Sequence, residues 1–243
     1  MSFVAVIPAR WQSSRFPGKP LVDLGGLPMV VRTARRAMQA ETVDRAVVAT
    51  DDERIVQACH QHDVETVMTA SDHENGTERV AEAGRVLGVR EIVNVQGDEP
   101  LIEAASIDAM VRGLVADTQA LVANAACPLP ENEQDNPNVV KAVSDQEGRL
   151  MLLSRHPIPF SWDKPVDRWR HLGLYVFCGE ALENYIARRQ GPLERAERVE
   201  MYRFLEYGDA ITLVQVPAAP PAVDVPEDVV KIEDYAARHG GWS

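Results

Sequence analysis

The chain has 243 residues, and 25 Lys and Arg set against 37 Asp and Glu give a formal net charge of −12, a balance that speaks against a nucleic-acid coat. With 45% hydrophobic and 26% charged residues, the composition is that of a globular protein and excludes a disordered or collagen-like chain. At about 150 residues per domain, the length fits one large domain over 1–243 and not a multidomain array.

The run from Phe3 to Pro8 is a buried-strand candidate, too short for a secretion signal or a membrane span, so a cytoplasmic location with no membrane partner is expected. The next twenty residues, 9–28, are rich in Gly, Pro and Ser, and long for a plain connector. The pattern then predicts a helix over 29–38, a strand over 45–50, a helix over 53–62, a strand over 64–68, a helix over 77–87 and a strand over 91–95. Such alternation implies βαβ units around a mainly parallel sheet.

The strand at 91–95 runs into Gln96-Gly97-Asp98-Glu99-Pro100, where Gly and Pro stop it and leave carboxylates at its C-terminal end, the edge where open α/β sheets bind ligands. A helix over 107–115 and strands over 121–126 and 139–143 follow. Between 154 and 170, prolines and aromatic residues break the periodicity, and we take 149–192 as an excursion serving an acceptor pocket or dimerisation. Helices are expected over 180–189 and 193–207, a strand over 210–216 and a final helix over 226–238. Cys59, Cys127 and Cys178 are odd in number and lack CxxC spacing, so they read as packed thiols without chemistry. His60 and His62, two apart on a helix, point to different faces and make a poor zinc pair.

An anion bound by so acidic a chain needs a few well-placed cations or a bridging metal ion, which gives weight to Arg10, Arg15 and Lys19, all in the loop after the first strand. Together with its Ser and Gly residues, this loop outlines a phosphate cradle. It is neither the GxxxxGK[ST] of a P-loop nor the GxGxxG of a nicotinamide enzyme.

The segment from Pro8 to Leu21, PARWQSSRFPGKPL, resembles the N-terminal signature of CTP-dependent cytidylyltransferases, in particular of their 3-deoxy-manno-octulosonate (Kdo) branch. The blocks 47–52, 72–79, 93–100, 136–141, 170–175, 192–194 and 223–228 resemble that family's later motifs in order. The resemblance implies an α/β, Rossmann-like nucleotidyltransferase with a mainly parallel mixed sheet and a smaller acceptor or dimerisation portion. Its partners are CTP and a small anionic acceptor, it acts as a homodimer, and its cofactor is Mg²⁺. By the same resemblance Lys19, Arg10 and Asp98 carry catalysis, and Asp98 and Asp224 hold the metal. Pro8, Ala9, Arg10, Arg15, Lys19, Asn75, Gly76 and Arg79 bind the nucleotide, and Gln96, Arg155, His171, Phe177, Glu200 and Met201 face the acceptor. For Asp224 alone, a capping carboxylate ahead of the last helix is the competing reading. So is a helix cap for Asn75 or Thr77.

Two positions depart from the family pattern. Phe177 stands where a tyrosine hydroxyl is expected, and Met201 where an amide is expected. If both line the acceptor pocket, they remove partners for sugar hydroxyls. A small phosphonate then becomes an alternative acceptor, and a non-catalytic nucleotide-binding protein a further alternative.

Overall fold

The computed structural model describes residues 2–12, 16–163, 166–217 and 220–242. In chain order the elements are β1 (Phe3–Ala9), β2 (Asp23–Leu24), β3 (Leu27–Pro28), α1 (Met29–Ala37), β4 (Val43–Thr50), α2 (Glu53–His60), β5 (Glu65–Met68), α3 (Gly76–Leu87), β6 (Ile92–Asn94) and α4 (Ala104–Ala116). There follow β7 (Val122–Pro128), β8 (Lys141–Ser144), β9 (Leu150–Ser154), β10 (Trp169–Phe177), α5 (Ala181–Ala187), α6 (Pro192–Glu197), α7 (Tyr202–Leu205), β11 (Ile211–Gln215) and α8 (Asp228–Arg238). Contacts divide the chain into two compact units, residues 1–108 with 220–243, and residues 109–219.

In the first unit β6, β1, β4 and β5 lie side by side and all parallel. Phe3 to Ile7 are buried without alternation, as expected of a parallel strand covered on both faces. The chain passes from β1 outward through β4 to β5, then returns to the other side of β1 as β6. The crevice beyond the C-terminal ends of β1 and β6 is therefore a topological switch point, the ligand edge of such sheets. The cluster Leu24, Met29, Leu101, Val223, Ile232 and Ala236 packs α8 against the loop that follows β1 and against the turn after β6.

The second unit is mixed. β11 runs parallel to β7, β7 antiparallel to β10, and β10, β8 and β9 continue antiparallel. From His171 to Tyr175, four steps on β10 answer to two on β7, so the strand bulges there. The Asn124 side-chain amide fills the bulge by donating to the Leu172 carbonyl at 2.9 Å. Bulges re-aim side chains, and this one sits among the expected acceptor residues.

The expected strand and helix sequence of the first unit is present with ends shifted by a few residues, and the α/β class with mainly parallel pairing holds. Three features of periodicity misled. The helix expected over 193–207 is broken into α6 and α7, because Arg198 adopts φ 53°. A straight helix would hold Glu194 and Arg203 roughly 13 Å apart along its axis. Here the two are fully buried in a two-pronged ion pair of 2.9 and 2.7 Å that only a chain reversal allows. β9 and β10, within residues 149–192, were not anticipated as strands. The short β2–β3 ribbon, turned by Gly25 at φ 58° and Gly26 at φ 86°, was also missed.

Cys59 is buried and its thiol is pushed up to about 12 by burial, in keeping with an inert packed thiol. Among the described residues no helix is long and apolar enough to cross a membrane.

Candidate active site

The site begins where β1 ends. Gly18 donates its N–H to the Trp11 carbonyl at 3.1 Å, which closes the loop after β1 into a ring. Its φ of 72° suits glycine, and an added Cβ would lie 3.0 Å from the Trp11 ring. Arg54 of α2 stacks on this anchor, its guanidinium carbon 3.5 Å from the Trp11 ring centroid. Lys19 and Pro20 then form a single 3-10 turn, with Pro20 buried. Arg10 is exposed at the mouth of the loop, while Arg15, also expected to bind phosphate, lies outside the described residues.

Lys19 is the centre of the arrangement. Its Nζ donates to Asp98 Oδ2 at 2.7 Å and to the Val223 carbonyl at 3.0 Å. The Val223 N–H in turn donates to the Asp98 carbonyl at 3.0 Å. Asp98 and the segment carrying Asp224 are thus side by side despite their separation in sequence. Asp224 is exposed and is not the helix cap: the Asp228 carboxylate accepts the Asp224 and Val225 N–H groups at 2.9 and 3.1 Å. Burial works against the Asp228 charge, yet Lys231 and these two N–H groups hold its carboxyl below the usual range. The N-cap position of α8 is Glu227, with no side-chain cap bond, and Asp228 in the first turn instead reaches back to the backbone ahead of the helix.

The turn after β6 is pressed onto β1. A Cβ on Gly97 would come 2.8 Å from the Pro8 carbonyl, so only glycine allows this approach. Gly76 faces Pro8 and Gln96, with an added Cβ 3.5 and 3.8 Å from their side chains. Pro8, Gly76 and Gln96, named separately from the sequence, share one spot. Asn75 caps α3 by accepting the Glu78 N–H at 2.9 Å, while Glu78 accepts the Glu74 N–H at 2.9 Å. One turn on, Glu82 accepts the Ala70 N–H at 2.9 Å and pairs with His73 at 2.5 Å. Although burial opposes it, these bonds hold the Glu82 carboxyl below its ordinary value.

Arg79 is buried, bonded to Thr69 and 3.5 Å from Asp51, so it braces the 69–76 segment from below. These partners account for its burial within the segment expected to meet the nucleotide.

In the second unit Arg155 and His171 are near enough for Arg155 to act on the His171 ring. Burial, then Arg155 and Arg170, push His171 down to about 4, so its ring is neutral near pH 7. The Tyr175 hydroxyl lies 3.3 Å from His171 Nε2. Sequence reading did not single out Tyr175, and the bulge between it and His171 hides their proximity from strand alternation. Glu200 is partly buried in the reversal between α6 and α7. Phe177 and Met201 are fully buried, with Phe177 stacked on Phe204 at 5.9 Å between centroids. Neither exposes surface to a ligand in this structure, so the phosphonate alternative, which rested on them as pocket residues, has no support. Among the described residues no group of three or more His, Cys, Asp or Glu is placed to hold a metal ion.

A crevice at a sheet switch point, with a lysine joining two carboxylate-bearing turns, defines a nucleotidyltransferase. A family model described as cytidylyltransferase matches residues 4–211, and the chain belongs to that family. It is 44% identical over 246 residues to the 3-deoxy-manno-octulosonate cytidylyltransferase of Syntrophobacter fumaroxidans, covering 98% of each chain. To the enzyme of the same name from Chlamydia pneumoniae it is 41% identical, covering 96% of this chain and 92% of that one. A solved structure of CMP:2-keto-3-deoxy-manno-octonic acid synthetase complexed with CTP superimposes with a TM-score of 0.95 at 34% identity, over 98% of this chain and all of the other. A cytidylyltransferase structure from Leptospira borgpetersenii, at 15% identity and a TM-score of 0.64, shares the fold. These relationships leave no support for a non-catalytic nucleotide-binding protein.

Proposed function

We propose that the protein transfers CMP from CTP to the anomeric hydroxyl of Kdo, releasing pyrophosphate. The observation that carries this reading is the Lys19 bridge between Asp98 and the Val223–Asp224 turn at the ligand edge of the sheet. The names and full-length coverage of the relatives support Kdo as the acceptor. So does a second unit whose Phe177 and Met201 departures lie in the core.

Asp98 and Asp224 fit Mg²⁺, which takes one or two carboxylates together with substrate phosphates and waters, and which supplies charge neutralisation on the triphosphate when bound. Lys19, released from Asp98 as nucleotide enters, places its ammonium where charge develops at the α-phosphorus. Arg10 holds the phosphates from the loop mouth. The braced 69–76 segment presents its backbone and the first turn of α3 to the base and ribose. Gln96 sits against both halves of this site, beside Pro8 and Gly76. Arg155 binds the acceptor's carboxylate, and the neutral His171 with Tyr175 offers hydrogen bonds to its hydroxyls.

The test is pyrophosphate release with CTP, Mg²⁺ and Kdo. Turnover is expected with Kdo and not with small phosphonates, and absence of turnover with Kdo refutes the reading.

A further inference from the structure

Lys141 is fully buried, yet none of the functional assignments above uses it. Its Nζ donates to the carbonyls of Asn136 and Arg155 at 2.7 and 2.9 Å. Both partners are neutral, so an ammonium is held out of water with no carboxylate bonded to it among the described residues. Burying such a charge is expensive, and a Met or Leu would fill the same space at lower cost. Burial lowers the affinity of this amine for its proton and Arg155 adds to the effect, against the pull of Asp135, Glu133 and Glu197.

The geometry around Arg155 shows what this arrangement achieves. Its Nε donates to the Glu197 carbonyl at 2.7 Å and its Nη1 to the Pro137 carbonyl at 2.8 Å. Its own N–H donates to Glu197 Oε2 at 2.9 Å, while Glu197 Oε1 accepts from Ser154 Oγ at 2.9 Å. Main-chain and side-chain bonds therefore fix Arg155 at several points. Among the described residues its guanidinium, too, meets carbonyls and no carboxylate. Two positive charges thus stand together in a chain of net charge −12, neither in an ion pair among the described residues, with Asp135, Glu133 and Glu197 acting on Lys141 without bonding to its amine. Lys141 ties down both the loop that gives Arg155 its Pro137 partner and the backbone of Arg155 itself.

We propose that Lys141 is a positioning residue for the acid group of the acceptor, fixing the pose of Arg155 and adding a second, buried positive charge behind it. This inference rests on the reading of the second unit as the acceptor side. A carboxylate reaching Arg155 meets a guanidinium already oriented, so little ordering remains to be done on binding. CTP, held by residues of the first unit, should not sense the change.

The experiment measures steady-state pyrophosphate release by the full chain with CTP, Mg²⁺ and Kdo. Lys141→Met should raise KM for Kdo tenfold or more, with KM for CTP within about twofold of wild type, a split that a general loss of stability does not produce. In an Arg155→Met background the same substitution should cost much less, because the group it acts through is gone. An unchanged KM for Kdo, an equal rise in both KM values, or full additivity with Arg155→Met overturns the proposal. Should Lys141→Met fail to fold, Lys141→Arg keeps the charge but cannot hold the same two carbonyls. It should show the same split, and wild-type constants in Lys141→Arg overturn the proposal equally. A wild-type protein inactive on Kdo defeats the underlying reading instead, which separates the two failures.

Discussion

The cations given roles above in the two units are held in opposite ways. In the first, Lys19 and Arg79 each lie against a carboxylate, Asp98 and Asp51. In the second, Lys141 and Arg155 lie against backbone carbonyls. A cation paired with a carboxylate is electrically satisfied and must exchange partners to act, which suits a lysine that meets phosphate only when nucleotide arrives. A cation held by carbonyls keeps its full charge for an incoming anion. On the proposed assignment, the difference teaches that the nucleotide end is built to switch partners and the acceptor end to stay fixed.

The largest effect should come from breaking the exchanging pair. Lys19→Met should lower turnover by about 10³-fold, as expected for loss of a charge aimed at the transition state, with little change in a thermal melt because the side chain is only partly buried. Near-wild-type turnover would remove Lys19 from the chemistry. Asp98→Asn should cost on the order of 10²-fold and move the Mg²⁺ titration to higher concentration; an unchanged titration curve argues that Asp98 does no more than hold Lys19.

Phe177→Ala sharpens the other side of the comparison. It should destabilise by about 3–5 kcal/mol in chemical denaturation while leaving KM for Kdo unchanged in the folded fraction, since the ring is core and not pocket. A raised KM without loss of stability would return Phe177 to the pocket.

The smallest effect is electrostatic. His171 should titrate near 4 by NMR in place of its ordinary 6.5. Because its folded value is depressed, the unfolded chain binds the extra proton between these two values. The contribution of His171 to stability is therefore complete above about 6.5 and is lost as pH falls toward 4. A midpoint near 6.5 would mean that the ring is neither desolvated nor faced by Arg155.

Much of the first unit was legible because its strands are short apolar runs and its helices are amphipathic, and because the Arg10 to Lys19 loop concentrates cations in an acidic chain. The meeting of Asp98 with the Val223–Asp224 turn came from resemblance alone, since periodicity says nothing about what α8 packs against. The second unit was harder to read. Arg198 has no glycine-like signature to announce its left-handed backbone, and the buried Glu194–Arg203 pair looks in sequence like two surface charges. Phe177 and Met201 showed how a departure from a motif can be a matter of core packing: nothing in a sequence says whether a strand residue faces a pocket or a neighbouring aromatic ring. Lys141 passed unnoticed within its motif, for a lysine's burial is invisible until its carbonyl partners are known.

The bond from Lys19 to the Val223 carbonyl spans 204 positions. At a synthesis rate of 5–20 residues per second, about 10–40 s pass on the ribosome between the appearance of Lys19 and that of its partner. Once Asp98 has been made, Lys19 has its carboxylate partner but not yet the turn carrying Asp224. Chains ending before this turn lack the Val223 carbonyl that anchors Lys19 and one of the two carboxylates proposed to hold Mg²⁺, so the proposed site is completed only late in translation.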